Sequence, residues 1–433
     1  MKQQLLQKIE NKKLTVGVVG LGYVGLPLVL CFIEKGFKGI GFDIDGAKVQ
    51  ALQNKQTYIK HIPQERIASA VESKLFEITT NFSKISECDA VLIAVPTPLN
   101  KNREPEMIYI TSTCEALFPH LKKGQAIVLE STTYPGTTDE VMVPILEKSG
   151  LKANVDFYVG FSPEREDPNN KDYRTETIPK VVGASSPEGL EVINAVYSQI
   201  VVNTVPVSST KVAEATKLME NIFRSVNIAL VNELKVTFMK MGINIWEVID
   251  AAKTKPFGFM PFYPGPGLGG HCIPIDPFYL TWKAREFGVT TKFIELAGEI
   301  NTSMPEFVVH RVMEVLNIYG KPMKNSKILI LGLAYKANVD DMRESPTFHL
   351  FHLLEEKGAL VEYNDPHVPV ITPTREHGEY TGKKSVPVSG NYDLLLISTA
   401  HDEYKTIDFV QFNIPVVDTR NLLRGSSPLF HKA

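Results

Sequence analysis

Short apolar runs alternate with stretches of helical periodicity in the N-terminal part of the chain. An apolar run at residues 14–19 precedes a helical pattern at 26–35 and a second apolar run at 39–42. Short apolar runs bounded by turn residues are typical of strands that are buried on both faces of a parallel sheet. Three later runs of the same kind predict further strands of this sheet, at residues 90–95, 126–129 and 157–160.

The middle of the chain has helical periodicity instead. Residues 208–241 form a periodic stretch without an internal glycine or proline. One long helix is the simplest structure for such a stretch. Three shorter helices are predicted to follow it, at residues 245–252, 276–287 and 291–302.

The alternation of strands and helices returns in the C-terminal part. Strands are predicted at residues 328–332, 360–363 and 394–398, and a helix at 345–357. We therefore predict an α/β fold in which two Rossmann-like domains are joined by a central helical domain with one long helix. In chain order, the predicted domain limits are 1–205, 206–305 and 306–433.

A glycine turn follows the first predicted strand. Gly20 permits a tight turn, Gly22 lets a ligand approach the backbone, and Gly25 lets the next helix pack on the strand. The helix N-terminus would supply N–H groups to a pyrophosphate, and Asp43 would accept hydrogen bonds from a ribose. Asp45 would repel a 2′-phosphate, which favours NAD over NADP. The predicted NAD-binding residues of this unit are Gly20, Gly22, Tyr23, Val24, Gly25 and Asp43.

The glycine turn has one alternative interpretation, and the second domain lacks such a turn. A glycine turn can exist without any ligand, but here the strand, helix and acid that a dinucleotide site requires are all in place. The second Rossmann-like domain has Gly-Leu-Ala-Tyr-Lys at residues 332–336 and lacks the glycine spacing. It is therefore predicted to bind a different phosphate-bearing ligand.

Composition narrows the class of protein. The 433 residues carry a formal net charge of −3, which provides no basic footprint for nucleic acid or an anionic membrane. Residues 1–13 are polar, and no apolar run is long enough to span a membrane. The four cysteines lack disulfide or zinc spacing, and the ten histidines form no ligand pattern. We expect a cytoplasmic enzyme without a metal, nucleic acid or membrane partner.

A glycine- and proline-rich loop at residues 264–276 contains the candidate nucleophile. Its thirteen residues include four glycines and three prolines, so a helix or a regular strand is excluded. Cys272 lies in this loop, and Asp276 follows four residues later. A thiol in such a shaped loop suits covalent catalysis on a carbonyl. The other cysteines are predicted to be apolar core residues, namely Cys31, Cys88 and Cys114.

Several motifs together resemble one family, the nucleotide-sugar 6-dehydrogenases that include UDP-glucose dehydrogenase. Besides the glycine turn, they are residues 95–98, 130–133 with 135–136, 162–164, Lys217 with Asn221, 269–272, and Lys336 with 341–345. The resemblance covers nearly the whole chain. It implies an NAD-binding, a central and a UDP-binding domain, a UDP-sugar substrate, and a homodimer or higher homo-oligomer organised around the long helix.

The resemblance also implies a mechanism. The C6 alcohol of the sugar is oxidised to a carboxylate with two NAD molecules, through a thiohemiacetal and a thioester on Cys272. Lys217 and Asn221, one helical turn apart, would stabilise the alkoxide and the oxyanion. Glu164 matches the glutamate of the hydrolysis step. Thr132 and Asp276 would hold the water.

Binding residues follow from the same resemblance. Lys336 and Arg343 would bind the UDP portion, because a guanidinium offers bidentate contacts to phosphate. The aromatic segment 257–263 would close over the diphosphate and the sugar. Further residues implied in cofactor binding are Pro96, Thr97 and Thr132. Further residues implied in substrate binding are Arg165, Lys217, Asn221, Phe262, Tyr263, Gly267 and Gly269.

Departures from the UDP-glucose pattern indicate the substrate. Ile275 stands where those enzymes commonly have lysine, and His271 precedes the cysteine. Residues 162–168 also lack the continuation typical of the glucose enzymes. The chain looks like the branch acting on N-acetylated sugars, and within it like UDP-N-acetylglucosamine 6-dehydrogenases of surface polysaccharide, O-antigen or capsule synthesis.

Other functions stay open at this point. Within the family, the substrate could instead be UDP-N-acetylmannosamine or UDP-glucose. A simple two-electron dehydrogenase would need no thiol, and a non-catalytic NAD-binding regulator would have lost the chemistry. Cys272, Lys217 and Asn221 together argue against the regulator.

Overall fold

The structure is a computed structural model that describes residues 1–59, 62–100, 102–165, 176–270, 273–374 and 376–433. The chain forms two compact units. The first comprises residues 1–220 and 278–288, and the second comprises 221–277 and 289–433. Each unit contains one sheet of predominantly parallel strands. The predicted fold class is therefore confirmed.

The sheet of the first unit has eight strands in the order β3-β2-β1-β4-β5-β6-β7-β8. They are β1 (Thr15–Val19), β2 (Lys38–Phe42), β3 (Phe76–Thr79), β4 (Ala90–Ile93), β5 (Ala126–Leu129), β6 (Tyr158–Phe161), β7 (Lys180–Ala184) and β8 (Thr204–Pro206). The first six follow the doubly wound order, whose switch point lies between β1 and β4. Only the pair β6 and β7 is antiparallel among these strands. Strands β3, β7 and β8 were missed from the sequence.

Seven α-helices in the described part of residues 1–209 connect or cover these strands. They are α1 (Lys2–Glu10), α2 (Gly25–Glu34), α3 (Gly46–Gln53), α4 (Gln64–Glu72), α5 (Ile108–Leu117), α6 (Val143–Leu146) and α7 (Pro187–Tyr197). Helix α2 packs on β1 and β2 and is buried from Gly25 to Ile33. Its mostly apolar sequence suits that position, since a helix without a polar face must be buried on all sides.

The long helix, α8 (Thr210–Lys240), has 31 residues. It lies within the stretch predicted from the absence of glycine and proline. The next three helices are α9 (Ile245–Ala252), α10 (Asp276–Arg285) and α11 (Lys292–Ile318). The predicted end of α11 at residue 302 was wrong, because the helix continues through Pro305. Burial of Met304, Val308 and Val312 stabilises this part of the helix although proline removes one hydrogen bond.

The sheet of the second unit has five parallel strands in the order β10-β9-β11-β12-β13. They are β9 (Lys327–Leu331), β10 (Leu360–Asn364), β11 (Leu394–Ile397), β12 (Val416–Asp418) and β13 (Phe430–Lys432). Helix α12 (Pro346–Glu356) begins after Ser345, whose hydroxyl accepts the Thr347 N–H, and packs on α11. The switch point of this sheet lies between β9 and β11. The domain limits inferred from sequence stay a prediction.

No helix in the described part of the chain is both long and apolar enough to cross a bilayer.

Candidate active site

The glycine turn after β1 has two positions that only glycine can occupy. Gly20 has a φ of +91°, and a Cβ there would lie 2.4 Å from the carbonyl oxygen of Ala94. A Cβ at Gly25 would lie 1.9 Å from the carbonyl oxygen of Gly20. At Gly22, by contrast, a Cβ would meet no atom within 4 Å. Gly20 and Gly25 therefore serve the fold, whereas Gly22 leaves open space beside the turn, as close approach of a ligand requires.

Asp43 lies at the end of β2 and faces this turn. Its Oδ2 accepts the Leu21 N–H at 2.9 Å, and its Oδ1 accepts the Asp45 N–H at 2.9 Å. Val24, the N-cap residue of α2, has an apolar side chain that accepts no hydrogen bond from the helix N-terminus. Lys48, which was missed from the sequence, has its Nζ 3.8 Å from Asp43 Oδ2. The open turn, the uncapped helix and the anchored acid fit a bound dinucleotide.

Ser131 ties together the two loops that carry the next predicted cofactor residues. Its hydroxyl donates to the Val95 carbonyl at 2.8 Å and accepts the Val95 N–H at 2.9 Å. Pro96 and Thr97 follow Val95, and Thr132 follows Ser131. The structure therefore brings these residues to the carboxyl ends of β4 and β5, beside the switch point of the sheet.

Glu164 follows β6 and is held at both carboxylate oxygens. Oε1 accepts the Arg165 N–H at 2.7 Å, and Oε2 lies 3.4 Å from Lys180 Nζ. Lys180 also donates to Glu130 Oε2 at 2.8 Å. Lys180 was missed because β7, which begins with it, was not predicted. Charged side chains at buried positions of this kind require a paired partner.

Arg165 has protein partners for its guanidinium. Nη2 lies 2.5 Å from Glu220 Oε1 on α8, and Nη1 donates to the Pro179 carbonyl at 2.7 Å. Its predicted contact with substrate stays a prediction. The adjoining residues 166–175 lie outside the described part of the chain.

Two predicted catalytic residues are brought together in the second unit. Asn221 Nδ2 on α8 donates to Asp276 Oδ2 at the start of α10, at 2.5 Å, and both side chains are buried. Lys217, also buried, lies one turn earlier on α8. Cys272 and His271 lie outside the described residues. The pair of Asn221 and Asp276 thus fixes one end of the loop that contains the candidate nucleophile.

The glycines before Cys272 pack against the segment that follows β9 and against the start of α12. A Cβ at Gly269 would lie 2.7 Å from the Tyr335 Cβ, and one at Gly270 would lie 2.9 Å from the Tyr335 ring. A Cβ at Gly267 would lie 2.9 Å from the Cβ of Pro346, the first residue of α12. Only glycine allows this close packing. It holds the loop beside the residues that follow β9.

The aromatic residues before the loop pack on α8 and α9. Phe262 makes an edge contact with Phe223 at a centroid distance of 5.6 Å. Tyr263 stacks on Trp246 at 5.6 Å and is 43% exposed. Tyr263 therefore has surface left for a ligand, although the described residues already order its ring.

The predicted UDP-binding cations lie in the second unit. Lys336 follows Tyr335 in the turn after β9. Arg343 forms a bidentate ion pair with Asp341, with Nε–Oδ1 and Nη2–Oδ2 distances of 2.8 and 2.6 Å. Its side chain is 41% exposed. A phosphate would therefore approach a guanidinium whose orientation Asp341 has already fixed.

Sequence reasoning missed two further cations near the loop. A Cβ at Gly265 would lie 2.4 Å from Arg420 Nη1, and the Gly265 carbonyl accepts from Lys235 Nζ at 3.3 Å. Burial lowers the pKa of Lys235 to about 7 and that of Arg420 to about 10. Arg420 follows β12, a strand too short to be predicted, although an arginine after an apolar run was visible in the sequence.

Three family models match successive parts of the chain. They describe the UDP-glucose/GDP-mannose dehydrogenase family, with its NAD binding domain at residues 14–201, its central domain at 211–303 and its UDP binding domain at 329–425. The chain belongs to this family.

The chain is similar to several proteins that are named as nucleotide-sugar dehydrogenases. A UDP-N-acetyl-D-glucosamine 6-dehydrogenase of Pseudomonas aeruginosa is 37% identical over 92% of either chain. A UDP-N-acetyl-D-mannosamine dehydrogenase of Methanococcus maripaludis is 32% identical over 94% of this chain and 92% of its own. A solved UDP-D-ManNAc dehydrogenase of Pyrococcus horikoshii has a TM-score of 0.88 at 28% identity, covering 97% of this chain and 99% of that one.

This UDP-glucose/GDP-mannose dehydrogenase family member is an NAD-dependent oxidoreductase of the nucleotide-sugar dehydrogenase class. The family resemblance and the NAD cofactor inferred from sequence are confirmed. The UDP binding domain supports a UDP-sugar substrate.

Proposed function

We propose that this enzyme oxidises the C6 alcohol of a UDP-N-acetylhexosamine to the uronic acid in a four-electron reaction. UDP-N-acetylglucosamine is the preferred substrate of the proposal. The observation that carries it is the buried contact between Asn221 and Asp276, which places an amide and a carboxylate at the base of the loop containing Cys272. A thiol in the same loop of the sequence is the nucleophile that a reaction with an aldehyde stage needs.

Glycine spacing and Asp43 account for cofactor binding in the proposal. Gly22 admits the pyrophosphate and Asp43 accepts from the ribose. NAD, when bound, accepts the hydrides that leave C6. Pro96, Thr97 and Thr132, at the ends of β4 and β5, would line the same site.

Lys217, Asn221 and Cys272 handle the oxygen and carbon atoms at C6. The alcohol gives its proton to the water that Thr132 and Asp276 would hold, and the Lys217 ammonium stabilises the alkoxide that forms. Donors such as Asn221 stabilise the later oxyanions. Each such donor contributes roughly 3 kcal/mol in a preorganised site. The Cys272 sulfur adds to the aldehyde carbon, and the thiol proton passes to the aldehyde oxygen to give the thiohemiacetal. Loss of the second hydride and of that proton leaves the thioester.

Glu164 completes the reaction by hydrolysis. Water adds to the thioester carbonyl while the Glu164 carboxylate takes its proton. The carbon–sulfur bond then breaks and Cys272 leaves as a thiolate, which regains a proton. Thr132 and Asp276 would hold this water. Asp276 has its carboxylate fixed by Asn221.

Cations of the second unit are proposed to bind the UDP portion. Lys336 and Arg343 lie in the turn after β9 and before α12, and Arg420 follows β12. The carboxyl ends of parallel strands are where open α/β sheets bind ligands. The further residues proposed to contact the sugar or the diphosphate are Phe262, Tyr263, Gly267, Gly269 and Arg165.

The choice of sugar rests on similarity. The curated relative named for N-acetylglucosamine is 37% identical, against 32% for one named for N-acetylmannosamine. UDP-N-acetylmannosamine is therefore the second candidate. A uronic acid of this kind would serve as a precursor of a surface polysaccharide.

Exposed apolar side chains on α8 support a homodimer. Met219, Phe223 and Leu230 are 66%, 42% and 52% exposed on this helix. Burying such side chains against a second copy would stabilise the pair by roughly 25 cal/mol per Å² of apolar surface. Mass measurement in solution would test this, since a monomer would contradict it.

The test of the proposed function is the amount of NADH released per limiting sugar. UDP-N-acetylglucosamine is run beside UDP-N-acetylmannosamine, UDP-N-acetylgalactosamine and UDP-glucose. We expect about two NADH per UDP-N-acetylglucosamine, because a covalent aldehyde stage commits the sugar to both oxidations. We expect a lower kcat/KM for the other three sugars. One NADH per sugar would contradict the four-electron reaction.

The matched variant is Cys272→Ser, with Cys114→Ser as its control. Cys114 is buried in the first unit and is expected to tolerate the change with only a loss of stability. Cys272→Ser should form no acid while its melting temperature stays near that of the wild type. Full turnover by Cys272→Ser would mean that no thioester forms.

A further inference from the structure

We propose that Lys180, with Glu130 as its counter-charge, is the positioning residue that holds the Glu164 carboxylate in place and ionised for hydrolysis. The inference rests on the proposed function, because it needs Glu164 to act on a thioester. Neither Lys180 nor Glu130 has a role in the mechanism described so far.

The Lys180 ammonium has three acceptors around it. Glu130 Oε2 lies at 2.8 Å, the Pro163 carbonyl oxygen at 3.2 Å and Glu164 Oε2 at 3.4 Å. An ammonium has three N–H donors, so these contacts use its full capacity. Two of the three acceptors belong to Pro163 and Glu164 themselves. Lys180 therefore fixes both the backbone before Glu164 and its side chain.

The three charged side chains of this group differ in their exposure to water. The side chains of Lys180 and Glu130 are 4% and 0% exposed, whereas that of Glu164 is 13% exposed. Glu164 is thus the member of the group that still reaches water. A general base must reach the proton that it removes, so Glu164 is placed for that role and the buried Lys180 and Glu130 are not.

The charges of Lys180 and Glu130 shift each other's pKa. Burial lowers the pKa of Lys180, but the charges of Glu130 and Glu164 outweigh it and leave the pKa above its ordinary value. Lys180 is therefore a cation throughout the neutral range. Burial raises the pKa of Glu130, against the lowering effect of the Lys180 charge. The Tyr197 hydroxyl also donates to Glu130.

Arg165 is another charged residue in contact with Glu164. Arg165 donates its main-chain N–H to Glu164 at 2.7 Å, while its guanidinium pairs with Glu220. Glu130 opposes ionisation of Glu164, and Lys180 favours it. Lys180 contacts the Glu164 carboxylate directly, at 3.4 Å, so its charge has the larger effect. Removing Lys180 together with Glu130 should raise the pH at which Glu164 ionises, since an adjacent cation favours the charged form of a carboxyl group.

The test is the double variant Glu130→Gln with Lys180→Met. Replacing both partners avoids leaving one buried charge unpaired, which would destabilise the unit. We expect the hydride transfers to persist as a rapid release of NADH, while steady-state kcat falls at least about tenfold. The acid limb of the kcat profile should move to higher pH. Intact-mass measurement after quenching should show the sugar still bound covalently to the enzyme.

Lys283→Met is the matched control. Lys283 is another buried lysine of the same unit, and it pairs with Glu140 at 2.8 Å. The control should lose stability but keep the wild-type acid limb and show no covalent adduct. If the double variant does not fold, Glu130→Gln with Lys180→Gln replaces it, because the amides retain hydrogen bonds without the charge. The same shift of the acid limb is expected.

Two results would overturn the proposal in distinguishable ways. Wild-type kcat and an unmoved acid limb in a folded double variant would show that Lys180 has a structural role alone. A wild-type enzyme that releases one NADH per sugar would overturn the proposed function, and this inference with it.

Discussion

The turn after β1 and the turn after β9 share one backbone arrangement. Gly20 and Gly332 have φ values of +91° and +89°. A Cβ at either would lie about as close to the chain leaving the neighbouring strand, 2.4 Å from the Ala94 oxygen and 2.5 Å from the Thr399 oxygen. An acid after the second strand of each sheet accepts the N–H of the residue after the glycine.

The two turns differ in what surrounds that acid. Asp43 accepts the N–H groups of Leu21 and Asp45. Asp365 accepts four main-chain N–H groups and also pairs with the buried His401 at 3.0 Å. Asp43 can still accept hydrogen bonds from a ribose, whereas the oxygens of Asp365 already accept hydrogen bonds from the surrounding protein. One backbone arrangement can thus serve a dinucleotide in one unit and act as a scaffold in the other.

Substituting the two shared glycines should have the largest effect. Gly20→Ala and Gly332→Ala each introduce a Cβ into a positive-φ position and against a carbonyl oxygen, so each should cost at least about 2 kcal/mol of unfolding free energy. Denaturant unfolding measures this. Gly46→Ala, where a Cβ meets no atom within 4 Å, is the control. Wild-type stability of either turn variant would break the claimed equivalence.

Substituting asparagine for Asp365 and for Asp43 should have different effects on stability and on NAD binding. Asp365→Asn removes a buried charge that holds several N–H groups and His401, and should cost about 3 kcal/mol. Asp43→Asn should change stability little but weaken NAD binding about tenfold. Thermal melting and NAD titration of both variants give the comparison. Equal loss of stability in the two variants would contradict it.

The stability difference at Asp365 should depend on pH. Burial raises the pKa of Asp365, but hydrogen bonds from His401, Ala334 and Leu333 outweigh it and leave the pKa below its ordinary value. The carboxylate therefore stabilises the fold above the unfolded pKa of about 4 and loses this effect as the pH falls through the folded value. The gap between wild type and Asp365→Asn should narrow on acidification. A constant gap would mean that the charge is not what Asp365 contributes.

Substituting Lys235 in the second unit should change stability less than substituting Asp365. The sign should be opposite, because the wild-type lysine destabilises the fold at neutral pH. Burial lowers its pKa to about 7, so between that value and about 10 the unfolded chain binds more protons than the folded one. Wild-type stability gains from this group as the pH rises through that window. Lys235→Met should melt a few degrees higher at pH 7 and lose this advantage near pH 10. A pH-independent difference would contradict the buried charge.

Much of this fold is readable from the sequence because its strands are short, apolar and separated by turns. The strands around both switch points, the long helix and the glycine turn were predicted. The failures have local causes. Strand β7 begins with a lysine whose partners are distant in sequence, and α11 crosses a proline that its buried face tolerates.

The site was less predictable than the fold. The contact of Asn221 with Asp276 joins residues 55 positions apart, so no local pattern reveals it. Lys180 and Arg420 resemble surface cations in the sequence, and only the packing around Glu164 and Gly265 distinguishes them. The bonds that saturate Asp365 also come from tertiary structure.

The central claim is that the turn after β1 has room for a dinucleotide at Gly22. NAD titration of Gly22→Ala beside Gly46→Ala tests this claim most directly. Both positions have room for a Cβ, so both variants should melt like the wild type without ligand. We predict that Gly22→Ala binds NAD at least about tenfold more weakly while its affinity for UDP is unchanged, and that Gly46→Ala binds both normally. Wild-type NAD affinity in Gly22→Ala would contradict the account.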